Sequence, residues 1–395
     1  MKRIFCVFLM LIFMYGCTAE KDLSDGTVTL PTAVYENEQI KTDGEFIGLW
    51  LPVYEIAPEK NSTEEKYVHK VSDMLEEIAE FGFTDIFVQV RANCDSIYPS
   101  EYFSPCSRFS VKEKLMFDAL KIFADEAHRR KLKIHAWLNP YRVSSGGEWD
   151  KNNTAFEYIS AEDITKEDNW VYIKPSSVSG RKLILDGVRE LISNYSIDGI
   201  HIDDYFYPTT DEEFDETDYK SYVSEGGKLS LNEWRRENVN TLVSSMYALI
   251  KNQNSDFIFS ISPCGDIDKN FNKLYADVEM WCRCPGFADM IIPQIYYGFE
   301  NSAQPFEGCL GEWMKIKTDK NIKLVIGLAA YKAGQEDEYA GEGRYEWEKN
   351  DDILKRQVEL IRGKSLDGFA LFSYNYIFGN SYFKNNEIIA LKEVI

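Results

Sequence analysis

The sequence predicts an α/β chain folded as a (β/α)8 TIM barrel, with long loops after strands 3, 4 and 7. Three observations carry this. From Glu45 onward, apolar strand-like runs alternate with amphipathic helical stretches, and eight repeats of that unit call for a parallel sheet. Strands 2, 3 and 4 each place aliphatic residues on one face and polar or aromatic residues on the other. In a barrel the first set meets the helices and the second lines the axis. The 395-residue length also suits one barrel of roughly 250 residues enlarged by insertions.

Residues 1–16 read as an export signal: Lys2 and Arg3, the apolar run Ile4 to Tyr15, then Gly16 before Cys17. The run is too short to span a bilayer. A small residue directly before Cys17 is similar to a lipoprotein cleavage site, so Cys17 is the expected lipidated amino terminus, with plain secretion as the alternative. The expected location is the outer face of a bacterial membrane, held by lipid, or the medium. Residues 17–44 are polar and aperiodic, as a tether would be, and the barrel is expected to occupy 45–395.

The first strand is expected at Phe46 to Pro52, followed by a helix from Glu64 to Glu80 that Gly82 is placed to end. Strand 2, Asp85 to Arg91, sets Phe87, Gln89 and Arg91 against Ile86, Val88 and Val90. A helix near Leu115 to Lys131 leads to strand 3, Leu132 to Asn139, where His135, Trp137 and Asn139 oppose Ile134, Ala136 and Leu138. The connection 142–180 is long, and loops of that length in compact domains are usually functional. A helix over 182–195 then precedes strand 4, Ile197-Asp198-Gly199-Ile200-His201-Ile202-Asp203. Ile200 and Ile202 share one of its faces; Gly199, His201 and Asp203 share the other.

After the acidic loop 208–229, Ser230 and Glu233 offer a capping box for a helix reaching Asn252. Strands 5 to 8 are expected at Asp256 to Ser262, Asp289 to Tyr296, Ile322 to Ala329 and Asp367 to Ser373. Helices are expected over 311–318 and 351–362.

The formal charge of −21 repels phosphate backbones, which excludes nucleic acid as a partner. Cys6 leaves with the signal and Cys17 is reserved for lipid. Cys94, Cys106, Cys264, Cys282, Cys284 and Cys309 remain, an even number that permits disulfides in an exported chain without fixing their pairing. Gly-x-Ser-x-Gly and His-Glu-x-x-His are absent, and four histidines leave little for a metal centre. No cofactor and no metal site are expected. The nearest approach to one joins His201 with Asp203 and Asp204, which would suit a metal-assisted deacetylase.

The chemistry converges on the end of strand 4. Cleaving a glycosidic bond takes two carboxyl groups, one protonating the leaving oxygen while the other attacks or activates water. Asp203 is the first candidate because its strand aims it at the carboxyl end of the barrel, where barrel enzymes work. Its structural alternative is an ion pair with Arg91 or His201. Asp204 is the second candidate, with Asp95, Asp266 and Glu300 as further acids on loops that follow strands. Donors for sugar hydroxyl, acetamido or carboxylate groups are Arg91, Asn139, Arg142 and Gln294. His201 and Asp95 are also expected to touch the ligand. Trp50, Trp137, Tyr141, Tyr205, Tyr207, Tyr296 and Tyr297 offer rings for sugar faces, although Trp137 reads better as core.

Several of these strings resemble the bacterial glycosyl-hydrolase-like family 10 lipoproteins. They are Phe87-Val88-Gln89-Val90-Arg91, His135-Ala136-Trp137-Leu138-Asn139-Pro140-Tyr141-Arg142, Asp198 to Pro208, Trp234-Arg235-Arg236-Glu237-Asn238-Val239, Ile261-Ser262-Pro263 and Pro293-Gln294-Ile295-Tyr296. The resemblance runs in order over roughly 45–375. It implies an α-amylase-type barrel with Asp203 as the central carboxylate. It also implies a wall glycan as substrate, peptide-free peptidoglycan strands above all. His201 stands where the amylase pattern has Arg, and strand 5 lacks the terminal Glu of that pattern. The expectation is therefore an exported, monomeric glycoside hydrolase. The alternative is a noncatalytic glycan-binding lipoprotein on the same scaffold.

Overall fold

The computed structural model describes residues 44–379 and 386–395; the export signal, Cys17 and the tether up to residue 43 lie outside the described residues. Eight parallel strands close into a barrel: β1 (Phe46–Leu51), β2 (Asp85–Arg91), β3 (Lys133–Leu138), β4 (Gly199–Ile202), β5 (Ile258–Ile261), β6 (Met290–Ile291), β7 (Lys323–Ala329) and β8 (Gly368–Phe372). Each pairs with its sequence neighbours. β1 closes the ring on β8, with Phe46 opposite Gly368 and Leu49 opposite Leu371.

The alternation along the strands divides the apolar residues into two bodies. Phe46, Trp50, Phe87, Trp137, Met290 and Val325 pack together inside the barrel. Ile86, Val88, Ile134, Ala136, Ile200 and Ile202 belong to the larger core beneath the helices. The interior is tight around Gly199: a Cβ there would lie 2.4 Å from His135 Nδ1 and 2.5 Å from the Ile258 carbonyl oxygen. Only glycine lets the His135 ring occupy that layer, where its Nε2 meets Asp85 Oδ1 at 2.8 Å.

Local signals set the helix limits. In Glu64–Phe81 the Thr63 hydroxyl accepts from the Lys66 amide, and Gly82 ends the helix at φ +114°. Val71, Leu75 and Ile78 form its buried face, each contributing roughly 1.5–3 kcal/mol of apolar burial. The following helix is Ala119–Arg129, shorter than 115–131. Asp118 caps it by accepting from the Lys121 amide, while Lys114–Leu115 pairs in a hairpin with Ser110–Val111. Ser230 and Glu233 form the expected capping box for Leu231–Gln253.

β6 is far shorter than 289–296. Pro293 has no N–H to give to a ladder, so regular pairing stops at Ile291 and returns only as bridges from Gln294 to Cys264 and to Gly327.

Insertions build up the carboxyl end of the barrel. Residues 92–118 carry two small two-stranded sheets, an insertion the sequence reading did not single out. After β3, Arg142–Ser145, Ile164–Glu167 and Trp170–Ile173 form a three-stranded sheet with the last of these in the middle. After β4, the loop is fastened by an ion pair with no exposed surface, Arg235 to Asp215 at 2.6 Å, with Arg235 also donating to the Tyr275 hydroxyl. The six cysteines in the described residues are all free thiols.

Candidate active site

Asp203 follows directly on β4 and is only 3% exposed. Its Oδ2 accepts from Trp137 Nε1 at 3.1 Å and from Asn139 Nδ2 at 2.5 Å, both on the neighbouring strand or just past its end. The Tyr205 amide approaches Oδ1 at 3.5 Å, too long for a strong bond. Burial pushes the Asp203 carboxyl up to about 7. Neighbouring Asp204 adds to the rise, whereas Arg142 and the two N–H donors oppose it. Asp204 is half-buried, and its Oδ1 accepts from Gln294 Nε2 at 3.3 Å. Burial raises it as well, against the pull of that donor. Two such carboxyls titrate together, and burial holds both above the usual carboxylate range.

A chain of amides stands behind Asp203. The Val53 backbone N–H donates to Gln89 Oε1 at 3.0 Å, Gln89 Nε2 donates to Asn139 Oδ1 at 2.7 Å, and Asn139 donates to the carboxylate. Beneath it, the fully buried His201 is held on both ring nitrogens. Trp50 Nε1 donates to Nε2 at 3.1 Å, and the Ser260 hydroxyl meets Nδ1 at 2.8 Å. Burial drives the His201 imidazole well below its usual range, so it stays neutral. Gln294 is steadied by donating to the Ser262 carbonyl at 2.9 Å.

Rings and cations surround the acids, Arg142 acting on both and Lys269 on Asp204. Tyr296 packs edge-on against Tyr331 at 5.8 Å and lies 6.2 Å from Phe372; Tyr331 in turn lies 6.0 Å from Tyr376. Tyr205 is 41% exposed, and the Arg142 guanidinium lies over its ring at 3.3 Å. Arg142 belongs to the small sheet after β3, where Trp170 backs it at 4.5 Å. Tyr54, in the short helix Val53–Ile56 after β1, is raised to about 12 by partial burial and then by Glu55, Tyr376 and Tyr205, so the segments after β1, β4 and β8 meet at the rim.

The structure thus gathers seven of the residues singled out in the sequence: Asp203, Asp204, Asn139, Arg142, Tyr205, Gln294 and Tyr296. Four others are placed differently. Arg91 is buried against Phe103, 4.7 Å from its ring centre, because a register shift between Gln89 and Arg91 breaks the alternation that would have kept it on the inner face. Asp95 lies with it under the 92–118 insertion, taking the Asn93 amide at 3.1 Å. Tyr141 is 1% exposed, facing core. His201 sits below the floor of the mouth, so it supports the site and is closed to a ligand.

Among the remaining acids, Asp266 caps Ile267–Asn272 and accepts from Gln304, which occupies both of its oxygens. Trp50 and Tyr207 are also buried rather than rim residues. The sequence reading gave Trp137 to the core; it is both core and donor to Asp203, a double role its shared face with Asn139 already signalled. Gln89 carried the same signal. Phe372 ends β8 in phase with Ala370 of the barrel interior, a mark the sequence carried, whereas Tyr54, Tyr331 and Tyr376 lie in short helical turns past the strand ends and had no periodic mark.

The family model described as Glycosyl hydrolase-like 10 matches residues 48–341. YngK, described as a glycosyl hydrolase of Bacillus subtilis (strain 168), is 31% identical over 319 residues, covering 73% of this chain and 61% of YngK. The chain therefore spans under two thirds of that relative. DigH, described as a glycosyl hydrolase of Escherichia coli (strain K12), is 28% identical over 341 residues, 77% of this chain and 75% of DigH. In fold, the chain is similar to the glycoside hydrolase domain of PgaB (BpsB) from Bordetella bronchiseptica. That likeness has a TM-score of 0.61 at 11% identity and covers 89% of this chain and 98% of that domain. Because the family model spans most of the barrel, from β1 past β7, the chain belongs to the glycosyl hydrolase-like 10 family.

Proposed function

We propose that the protein is a glycoside hydrolase acting on a bacterial cell-wall or related polysaccharide glycan, with peptide-free peptidoglycan strands as the foremost substrate. In this reading Asp203 is the nucleophile or base and Asp204 the proton donor. Residues 1–16 export the chain, and Cys17 carries its lipid anchor. Membership in a glycosyl hydrolase-like family supports a hydrolase that acts on glycans. The observation that carries the catalytic reading is the pair of adjacent carboxyls just past the end of β4, both raised by burial, since glycoside cleavage takes one carboxylic acid and one carboxylate at once.

The roles follow from the partners. Trp137 and Asn139 donate to Asp203 and favour its anion against the burial that raises it, and Asp204, the more open of the two, acts as donor of the pair's proton in this reading. Asp204 gives that proton to the glycosidic oxygen as the bond to the anomeric carbon breaks. The Asp203 carboxylate meets the positive charge developing at that carbon, directly or by taking a proton from the attacking water. Water supplies hydroxyl to the sugar and hydrogen to the acid pair, restoring it. Tyr205 and Tyr296 present rings to sugar faces.

The test is to incubate the protein with purified wall glycans, with and without attached peptides, and to analyse the products by mass spectrometry. New reducing ends from peptide-free strands, absent with Asp203→Asn, are expected. Full activity in Asp203→Asn would refute the assignment. Glycan binding without any cleavage would identify a noncatalytic binding protein instead.

A further inference from the structure

Arg142 is a cation held at the mouth with no anion of its own. Lys174, Arg235 and Lys332 each grip an aspartate on the surrounding loops, whereas Arg142 makes no ion pair among the described residues. It is near enough to Asp203 and Asp204 to oppose the rise of both, yet it bonds neither. Two rings hold it instead, Tyr205 at 3.3 Å and Trp170 at 4.5 Å from the guanidinium carbon; it also donates to the Tyr205 hydroxyl, while its buried Nε has no hydrogen-bond partner. Stacking fixes the plane of the guanidinium while leaving its edge to meet an acceptor, the geometry in which arginine recognises carboxylates in fork fashion. In a chain of net charge −21, positive charge fixed beside an acid pair calls for an anionic partner. One guanidinium balances one negative charge, so a carboxylate suits it better than a dianionic phosphate next to two aspartates.

We infer that Arg142 is the carboxylate-reading subsite of this mouth: the sugar bound beside Asp203 and Asp204 carries a free carboxylate. The inference rests on the glycosidase reading and narrows its substrate class. Two sources share this chemistry, the lactyl ether acid of wall glycan stripped of peptide and the C6 acid of a uronic sugar. A peptide on the lactyl group would remove the charge and fill the space the fork needs, so the same subsite accounts for a preference for peptide-free strands.

The experiment compares four probes: peptide-free wall strands, the same strands with the lactyl acid converted to its amide, uronic-acid-containing oligosaccharides, and neutral chito-oligosaccharides. The expected result is a kcat/KM at least about tenfold higher for the free acid than for its amide, the worth of a charge-assisted hydrogen bond. Arg142→Gln should collapse that ratio toward one. The lactyl and uronic arms show which source is read, by which of them exceeds the neutral probe. Equal rates on acid and amide by the unaltered protein, or a ratio that survives Arg142→Gln, would overturn the inference while leaving the glycosidase reading intact. Stronger competition by inorganic phosphate than by acetate would overturn the carboxylate assignment. If no probe is cleaved, the glycosidase reading fails. Calorimetric binding of free-acid and amidated strands to Asp203→Asn then decides Arg142 alone, equal affinities refuting it.

Discussion

Replacing Asp203 by Asn should stabilise the fold at high pH while removing activity. In the folded chain, burial lifts this carboxyl from 3.8 to about 7, a shift of about three pH units. The folded state therefore holds the Asp203 proton more tightly than the unfolded state does. The stability this provides is complete below about pH 4 and is lost as pH climbs through about 7. At about 1.4 kcal/mol per unit, the loss reaches about 4 kcal/mol, an upper bound because Asp204 shares the effect. An amide at 203 carries no charge, and its oxygen can still accept from Trp137 and Asn139. The stability advantage of Asp203→Asn should therefore grow from near zero at pH 4 to about 2–4 kcal/mol at pH 9. Urea unfolding followed by tryptophan fluorescence at pH 4, 6.5 and 9 would measure it. An advantage that does not depend on pH, or a variant less stable than the parent at pH 9, would refute the argument that burial is the main cause of the shift.

Two further outcomes are expected from the same contacts. Trp137→Phe removes one donor to the Asp203 anion, so the acidic limb of the kcat/KM profile, where the base becomes protonated, should move to higher pH by about one unit. A limb that stays in place or moves downward would contradict the assigned partner. Arg235→Ala leaves Asp215 charged and buried with nothing opposite it, a loss of about 3–5 kcal/mol in unfolding experiments. The double change with Asp215→Ala should recover a large part of that loss, and failure to do so would place the cost elsewhere.

Most of the barrel was legible in the sequence because its strands are two-faced. Aliphatic residues at every second position of strands 2 to 4 announce a layer of helices, and the opposite faces lead straight to Asn139 and Asp203. Alternation says nothing of where it stops. The register shift that turns Arg91 away and the proline that shortens β6 are each single-residue events within otherwise regular runs. Rim residues were read less well for a related reason. Tyr141 and Tyr207 follow strands just as Tyr205 does, but loop backbone decides which rings face the mouth, and no periodicity records that decision. Strict alternation would turn Asp204 away from Asp203; its half-buried place beside Gln294 follows β4 ending at Ile202, before either acid.

The row of amides behind Asp203 has a polarity that nothing along it can reverse. Side-chain amides can turn end for end, but the Val53 N–H at its head belongs to the main chain and can only give. Gln89 must therefore offer its oxygen there and its nitrogen onward, and Asn139 must do the same. Asp203 Oδ2 consequently always faces a hydrogen, and any proton the acid pair picks up has to sit on its other oxygen or on Asp204. A peptide group just after β1, 86 residues before Asn139 in the chain, thus dictates where the mobile hydrogen of the site can be.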